Sequence, residues 1–178
     1  VWIGRLDRQK DPVAAIEALG RLEAKLSHCQ LVLAGEGPLR GQVEARIAEL
    51  RLGDRVHLLG RIAEIPSLLA RSCGLILTSR WEGMPNVVLE AMAAGRPVVA
   101  RGVEGVNALV EDGSSGWVVA GERVASLSDA LAELLCDVSR AEVMGLRGQQ
   151  KVLEEFSIQE MVSRYEALWE REIPLVQS

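Results

Sequence analysis

Apolar runs punctuate the chain at Val1–Gly4, Gln30–Ala34, Val56–Leu58, Gly74–Thr78, Pro97–Ala100 and Trp117–Val119. They are continuous rather than alternating in polarity, the pattern of strands buried on both faces. Between them apolar residues fall at helical spacing: Ala15, Leu19, Leu22 and Leu26; then Leu39, Val43, Ile47 and Leu50; then Ile65, Leu68 and Leu69. Leu127, Leu131, Leu134 and Leu135 continue the pattern after the last run, and Ile158, Met161, Tyr165, Leu168 and Trp169 line one face of a closing helix. Such alternation predicts an α/β fold, a doubly wound, mostly parallel six-stranded sheet with helices on both faces and a C-terminal helical extension. No repeat or linker interrupts it. Residues 1–178 therefore read as a single domain, with 157–178 as helix and tail.

Composition narrows the function classes. Hydrophobic residues make up 48% of the 178 positions, enough for a sizeable core, while aromatics reach only 3%. The net charge of −5 comes without any dense Lys/Arg run, so the electrostatic footprint of a nucleic-acid binder is absent. Cys29, Cys73 and Cys136 stand singly, and neither His28 nor His57 has a partner at ligand spacing; all five read as structural, with no metal site. There is no membrane-length apolar run and no leader signature, which points to a cytoplasmic protein. The chain opens directly on a strand, as a segment of something longer would.

In sheets of this kind ligands bind beyond the carboxyl ends of the strands, so the strand-to-helix loops are the places to search. The first carries Arg5, Arg8 and Lys10 ahead of a helix start at Asp11-Pro12. Cations beside free helix N–H groups suit an anion, although a merely solvated basic loop explains them equally well. The second, Gly35-Glu36-Gly37-Pro38, misses the dinucleotide fingerprint by one residue and reads as a tight turn that a ligand grazes. The fourth leads into the stretch Ser79–Pro97. There Pro85 suits a first helical position, Gly95 a C-terminal cap, and Pro97 a stop. Gly83 permits close approach, and the helix N-terminus favours phosphate. Glu90 is the one charge inside that apolar helix and Glu82 lies just before it. Carboxylates suit sugar hydroxyls, which they accept in pairs. Burying Glu90 without a partner would cost several kcal/mol, so it is expected to face a polar cleft, a solvent stripe being the plainer alternative.

The spacing of Glu82 and Glu90 resembles the E-x7-E motif of retaining glycosyltransferases of the GT-B fold, built of two Rossmann-like domains. Gly4-Arg5-Leu6 with Lys10, the Val32–Pro38 turn, Val56–Gly60 and Gly113 with Gly116 resemble the same group, in particular family 4, the glycosyl transferases group 1 domain. The resemblance runs over essentially the whole chain. It implies the C-terminal, donor-binding domain, with an N-terminal acceptor domain absent from these residues. It implies that Arg5 and Lys10 neutralise a donor diphosphate, that Glu90 holds the ribose, and that Glu82 contacts the transferred sugar. It further implies that the backbone of Gly83, Met84, Pro85, Asn86 and Val87 approaches sugar and phosphates, that Gly4 and Gly35 belong to the donor-binding set, and that Arg61 and Ile62 line the base. Glu82, Arg5 and Lys10 are then the catalytic set, acting by position and charge. No metal and no cofactor beyond the nucleoside-diphosphate sugar is required. Transfer with retention of a hexose-type sugar to a saccharide or lipid-linked acceptor follows, in cell-envelope or glycolipid synthesis, in the cytoplasm or at the inner membrane face through the other domain.

One departure stands out: Ala108 occupies a position where the family often has Glu, and Glu104-Gly105 replaces the usual Gly-Gly. That puts this loop's donor contacts in doubt. A non-catalytic nucleotide-sugar binding module and a nucleotide-sugar epimerase of the same fold remain as alternatives. An epimerase would be expected to need acid/base groups that the two histidines are poorly placed to supply. A sugar phosphorylase would be expected to bring a cofactor lysine, and Lys10, Lys25 and Lys151 sit in no suitable motif.

Overall fold

The computed structural model describes residues 1–172. Its elements run β1 (Trp2–Ile3), α1 (Pro12–Gly20), β2 (Leu31–Ala34), α2 (Arg40–Glu49), β3 (Val56–Gly60), α3 (Ile65–Ala70) and β4 (Leu75–Leu77), then α4 (Asn86–Ala93), β5 (Val98–Arg101), α5 (Glu104–Leu109), β6 (Gly116–Val119), α6 (Val124–Cys136), α7 (Val138–Glu155) and α8 (Ile158–Glu172). Every ladder is parallel: β2 pairs with β1 and β3, and β5 pairs with β4 and β6.

The expected six-stranded sheet is divided into two three-stranded ladders. They meet where β1 lies against β4. There the Ile76 amide donates to the Val1 carbonyl at 2.8 Å and the Trp2 indole N–H to Thr78 Oγ1 at 3.0 Å. With only two residues, β1 is too short to carry a full ladder on both edges. The spatial order β3-β2-β1-β4-β5-β6 reverses between β1 and β4, and a doubly wound sheet opens its ligand crevice at such a point.

One core lies on each face. Trp2, Ile16, Leu33 and Val43 pack with Leu127 and Met144 beneath α1, α2 and α6. Leu69, Leu75, Val88, Met92 and Leu109 pack with Val152 beneath α3, α4, α5 and α7. Each such side chain contributes about 1.5–3 kcal/mol by leaving water.

Several helix expectations shift. α1 ends at Gly20, so Leu22 falls in a turn and buried Leu26 in a 3-10 turn over Ala24–Leu26. Pro85 precedes α4 rather than opening it, while Gly95 takes φ 66°, as a left-handed cap does. The segment carrying Glu104 and Ala108, expected as a loop, folds as α5. The helix α7, which the apolar spacing does not predict, faces the core with Ala141, Met144, Gly145, Gly148 and Val152. A Cβ on Gly145 would stand 2.1 Å from the Gly95 carbonyl oxygen, so glycine is what lets α7 lie on α4. On α8, Ile158, Met161, Tyr165, Leu168 and Trp169 are all exposed rather than packed. Of the expected tail, residues 173–178 lie outside the described residues. Among those described, no helix is long and apolar enough to cross a membrane.

Candidate functional site

Two loops leave the sheet in opposite directions at the β1/β4 junction, and hydrogen bonds stitch them together. The Arg80 amide donates to the Gln9 carbonyl at 2.8 Å, and Gln9 Nε2 donates to the Trp81 carbonyl at 3.0 Å. Lys10 Nζ stands 2.5 Å from Glu82 Oε1, with the side chains 23% and 6% exposed. Glu82 is therefore seated and paired, not open at the cleft mouth as its loop position suggests. Lys10 is fixed at its other end as well, its amide donating to Asp7 Oδ1 at 3.0 Å.

Arg5 differs. Its side chain is 71% exposed and only 3.7 Å from Asp7, a loose pair from which it can swing. It borders a concavity of about 600 Å³ over the carboxyl ends of β1, β2 and β3, together with Gly4, Gly35, Arg61 and Ile62 from the expected donor set. Glu36 and Gly37, from the turn expected to be grazed by a ligand, line it too, together with Ile65, expected only as an apolar helix position. The concavity exists because backbones touch around it. A Cβ on Gly35 would sit 1.7 Å from the Gly4 carbonyl oxygen, and one on Gly37 2.4 Å from that of Leu6.

On the other flank lies the Gly83–Val87 stretch. Gly83, Met84 and Asn86 are exposed, Val87 is half-buried and Pro85 is buried. No atom stands within 4 Å of where a Gly83 Cβ would be, which leaves room for a ligand. Asn86 and Val87 open α4, so their amides have no acceptor within the helix. Behind them the β5–α5 loop presses close, with Gly105 donating to the Glu82 carbonyl at 3.3 Å. Glu104 and Ala108 are both exposed on α5.

Glu90 is the residue the geometry does not gather in. It is exposed on the same side of α4 as Asn86 and Ala93 and does not line the concavity. Sequence reasoning also missed a buried cation, Arg101, whose Nη1 donates to Asp11 Oδ2 at 2.8 Å and to the Thr78 carbonyl at 2.6 Å. The signal was a charge closing an otherwise apolar strand. His57 Nε2 lies 3.1 Å from Gln30 Oε1, and of the three free thiols Cys29 is half-buried while Cys73 and Cys136 are exposed rather than packed in a core.

Residues 1–151 match the family described as glycosyl transferases group 1. An alpha-D-kanosaminyltransferase from Streptomyces kanamyceticus is 38% identical over 146 residues, which is 81% of this chain and 38% of that protein. Among solved structures, an S. aureus TarM mutant in complex with fondaparinux, alpha-GlcNAc-glycerol and UDP superposes with a TM-score of 0.88 at 23% identity, over 94% of this chain and 34% of its own. Anabaena HepE in complex with UDP superposes at 0.87 and 24% identity, over 96% of this chain and 48% of its own. The chain thus spans less than half the length of each of these proteins, and its fold is that of one Rossmann-like domain of a GT-B enzyme. With five-sixths of its residues matched and a fold shared with such transferases, the chain belongs to the glycosyl transferases group 1 family.

Proposed function

We infer that these residues form the donor-binding half of a retaining glycosyltransferase, which moves a hexose-type sugar from a nucleoside diphosphate to an acceptor hydroxyl. The observation that carries this reading is the Lys10–Glu82 pair at the strand-order reversal, beside the concavity bordered by Arg5. A cation and a carboxylate held together suit a ligand with a diphosphate at one end and sugar hydroxyls at the other. UDP in the two solved relatives supports a nucleotide donor.

On this reading the base lies against Arg61 and Ile62, with Gly4 and Gly35 allowing the phosphates close to the backbone. Lys10 and Arg5 take the charge that develops as the bond from the anomeric carbon to the diphosphate oxygen breaks. The amides at the start of α4 add directional donors at the same place. Glu82 orients the sugar, and Glu90 takes the ribose hydroxyls once donor is bound. The new bond forms on the face the diphosphate leaves, and the acceptor proton passes to a donor phosphate oxygen. No metal enters these steps. Acceptor contacts, saccharide or lipid-linked, belong to a second domain, as does any attachment to a membrane face.

Calorimetric titration of the 178-residue chain with UDP, GDP, ADP and their sugars tests the reading. At least one pair is expected to bind below millimolar concentration, and Glu90→Ala to weaken it. Absence of binding by all of them would sink the site assignment. The chain alone is expected to transfer no sugar; measurable transfer would overturn the division of labour between two domains.

A further inference from the structure

Asp11 adopts φ 46° and ψ 59°, the left-handed region that is uphill for any residue with a Cβ. It directly follows Lys10, so the backbone at Asp11 decides where the Lys10 side chain starts. Two groups from neighbouring strands hold this turn. Thr78 Oγ1, at the end of β4, lies 2.9 Å from the Lys10 carbonyl oxygen and 2.8 Å from that of Asp11. Arg101, the last residue of β5, reaches across the end of β4 and bridges Asp11 Oδ2 to the Thr78 carbonyl through a single nitrogen, Nη1. From the solvent side Arg80 Nη2 adds a longer contact to the same Asp11 oxygen at 3.2 Å.

This arrangement is expensive as a piece of core. The Arg101 side chain is 5% exposed, and its Nε is buried without a hydrogen-bond partner. An apolar side chain of similar volume would fill a strand end without taking a guanidinium out of water. The geometry favours the grip on Asp11 over the hydration of the arginine itself.

We propose that Arg101 is a positioning residue, whose bridge between Asp11 and Thr78 locks the left-handed turn and so sets Lys10 against Glu82. The consequence for ligand rests on the reading that Lys10 meets the donor diphosphate. The lock itself does not.

Arg101→Gln, Arg101→Lys and the double variant Arg101→Gln/Asp11→Gly of the 178-residue chain separate this from a merely structural role. Two readouts are taken: affinity for whichever of UDP, GDP or ADP binds the parent, and ligand-free amide exchange at Asp11 and Arg80. Those amides donate to the Asp7 and Gln9 carbonyls. In Arg101→Gln the affinity is expected to fall about tenfold, a coupling within the range of contacting residues in one network. Exchange at the two amides should quicken while that of β2 is unchanged, and Arg101→Lys should fall between. Glycine adopts the turn freely and removes the orphaned carboxylate, so the double variant should regain parental affinity. If Arg101→Gln does not fold, the double variant decides: parental binding supports the proposal and weakened binding overturns it. Parental affinity and exchange in Arg101→Gln, with only its melting temperature lowered, would also overturn it. Should the parent bind no nucleotide, the donor reading falls, and exchange alone decides the lock.

Discussion

Lys10 Nζ and Glu82 Oε1 are 2.5 Å apart, joining two loops that begin on strands of different ladders. The cation expected at phosphate and the carboxylate expected at sugar are one ion pair before any ligand arrives. On the proposed reading a diphosphate shares Lys10 with Glu82. Lys10→Ala is expected to weaken nucleoside diphosphate binding by about 10- to 100-fold, the range of a lost charged hydrogen bond of ~1.5–3 kcal/mol. Glu82→Gln frees Lys10 and should leave the diphosphate bound as well or better, while abolishing any gain from the attached sugar. Calorimetry with nucleotide and sugar nucleotide side by side reads both effects. Equal weakening of the two ligands by Glu82→Gln would mean that the carboxylate acts by holding Lys10 for the phosphate rather than by meeting the sugar.

Arg5 is expected to matter less and to depend on salt. With its side chain 71% exposed, its charge acts through water and is screened over about 8 Å at physiological ionic strength. Arg5→Ala should cost about two- to fivefold in diphosphate affinity, and that cost should vanish near molar salt. The Lys10→Ala effect should persist there, because Lys10 is more than three-quarters covered. A cost for Arg5→Ala that resists salt would mean the side chain is drawn into a dry site on binding.

Strands and the Lys10 and Glu82 loops were legible because apolar runs declare buried strands, and polar groups at their ends have few other uses. Three features were not. α7 meets the core through Ala141, Gly145 and Gly148 and leaves Val143, Leu146 and Leu153 exposed, so its apolar periodicity points the wrong way. Arg101 follows an apolar run that ends at Ala100, and sequence cannot show that the strand's last side chain turns inward across its neighbour. Glu90 seemed to have no polar stripe, yet Asn86 and Ala93 flank it on an exposed side of α4. A helix of eight residues is too short for its composition to reveal which way one charge points.

The thiols offer a test of the opposite end of the sheet. Burial raises the Cys29 pKa above its ordinary value, more than the nearby Arg55 guanidinium lowers it, whereas Cys73 and Cys136 are exposed. Thiolate is the reacting form, so a raised value means less of it at any pH below the midpoint. Iodoacetamide at pH 8 is expected to label Cys73 and Cys136 first, with Cys29 catching up only as pH climbs. Peptide mapping after brief exposure reads the order. Labelling of Cys29 ahead of both would show that the β2 end of the chain opens in solution.

Glycines separate the groups that shape the site from those that leave it open. Gly35 has φ 146° and no space for a Cβ, which would lie 1.7 Å from the Gly4 carbonyl oxygen. Gly35→Ala must push apart the loops that carry Arg5 and Glu36, at a cost of about 3 kcal/mol or more. Gly83 meets nothing within 4 Å and needs no positive φ, so Gly83→Ala should leave stability within about 0.5 kcal/mol of the parent. On the proposed reading a methyl at Gly83 would nevertheless occupy the room through which sugar and phosphates approach α4, and donor binding should weaken by about tenfold, or ~1.4 kcal/mol. Gly53→Ala, equally open and in the turn that precedes β3, should change neither property. Thermal melts and titrations of the three variants give the comparison. Parental donor affinity in Gly83→Ala would remove the loop ahead of α4 from the site and leave the ligand to the concavity over β1, β2 and β3.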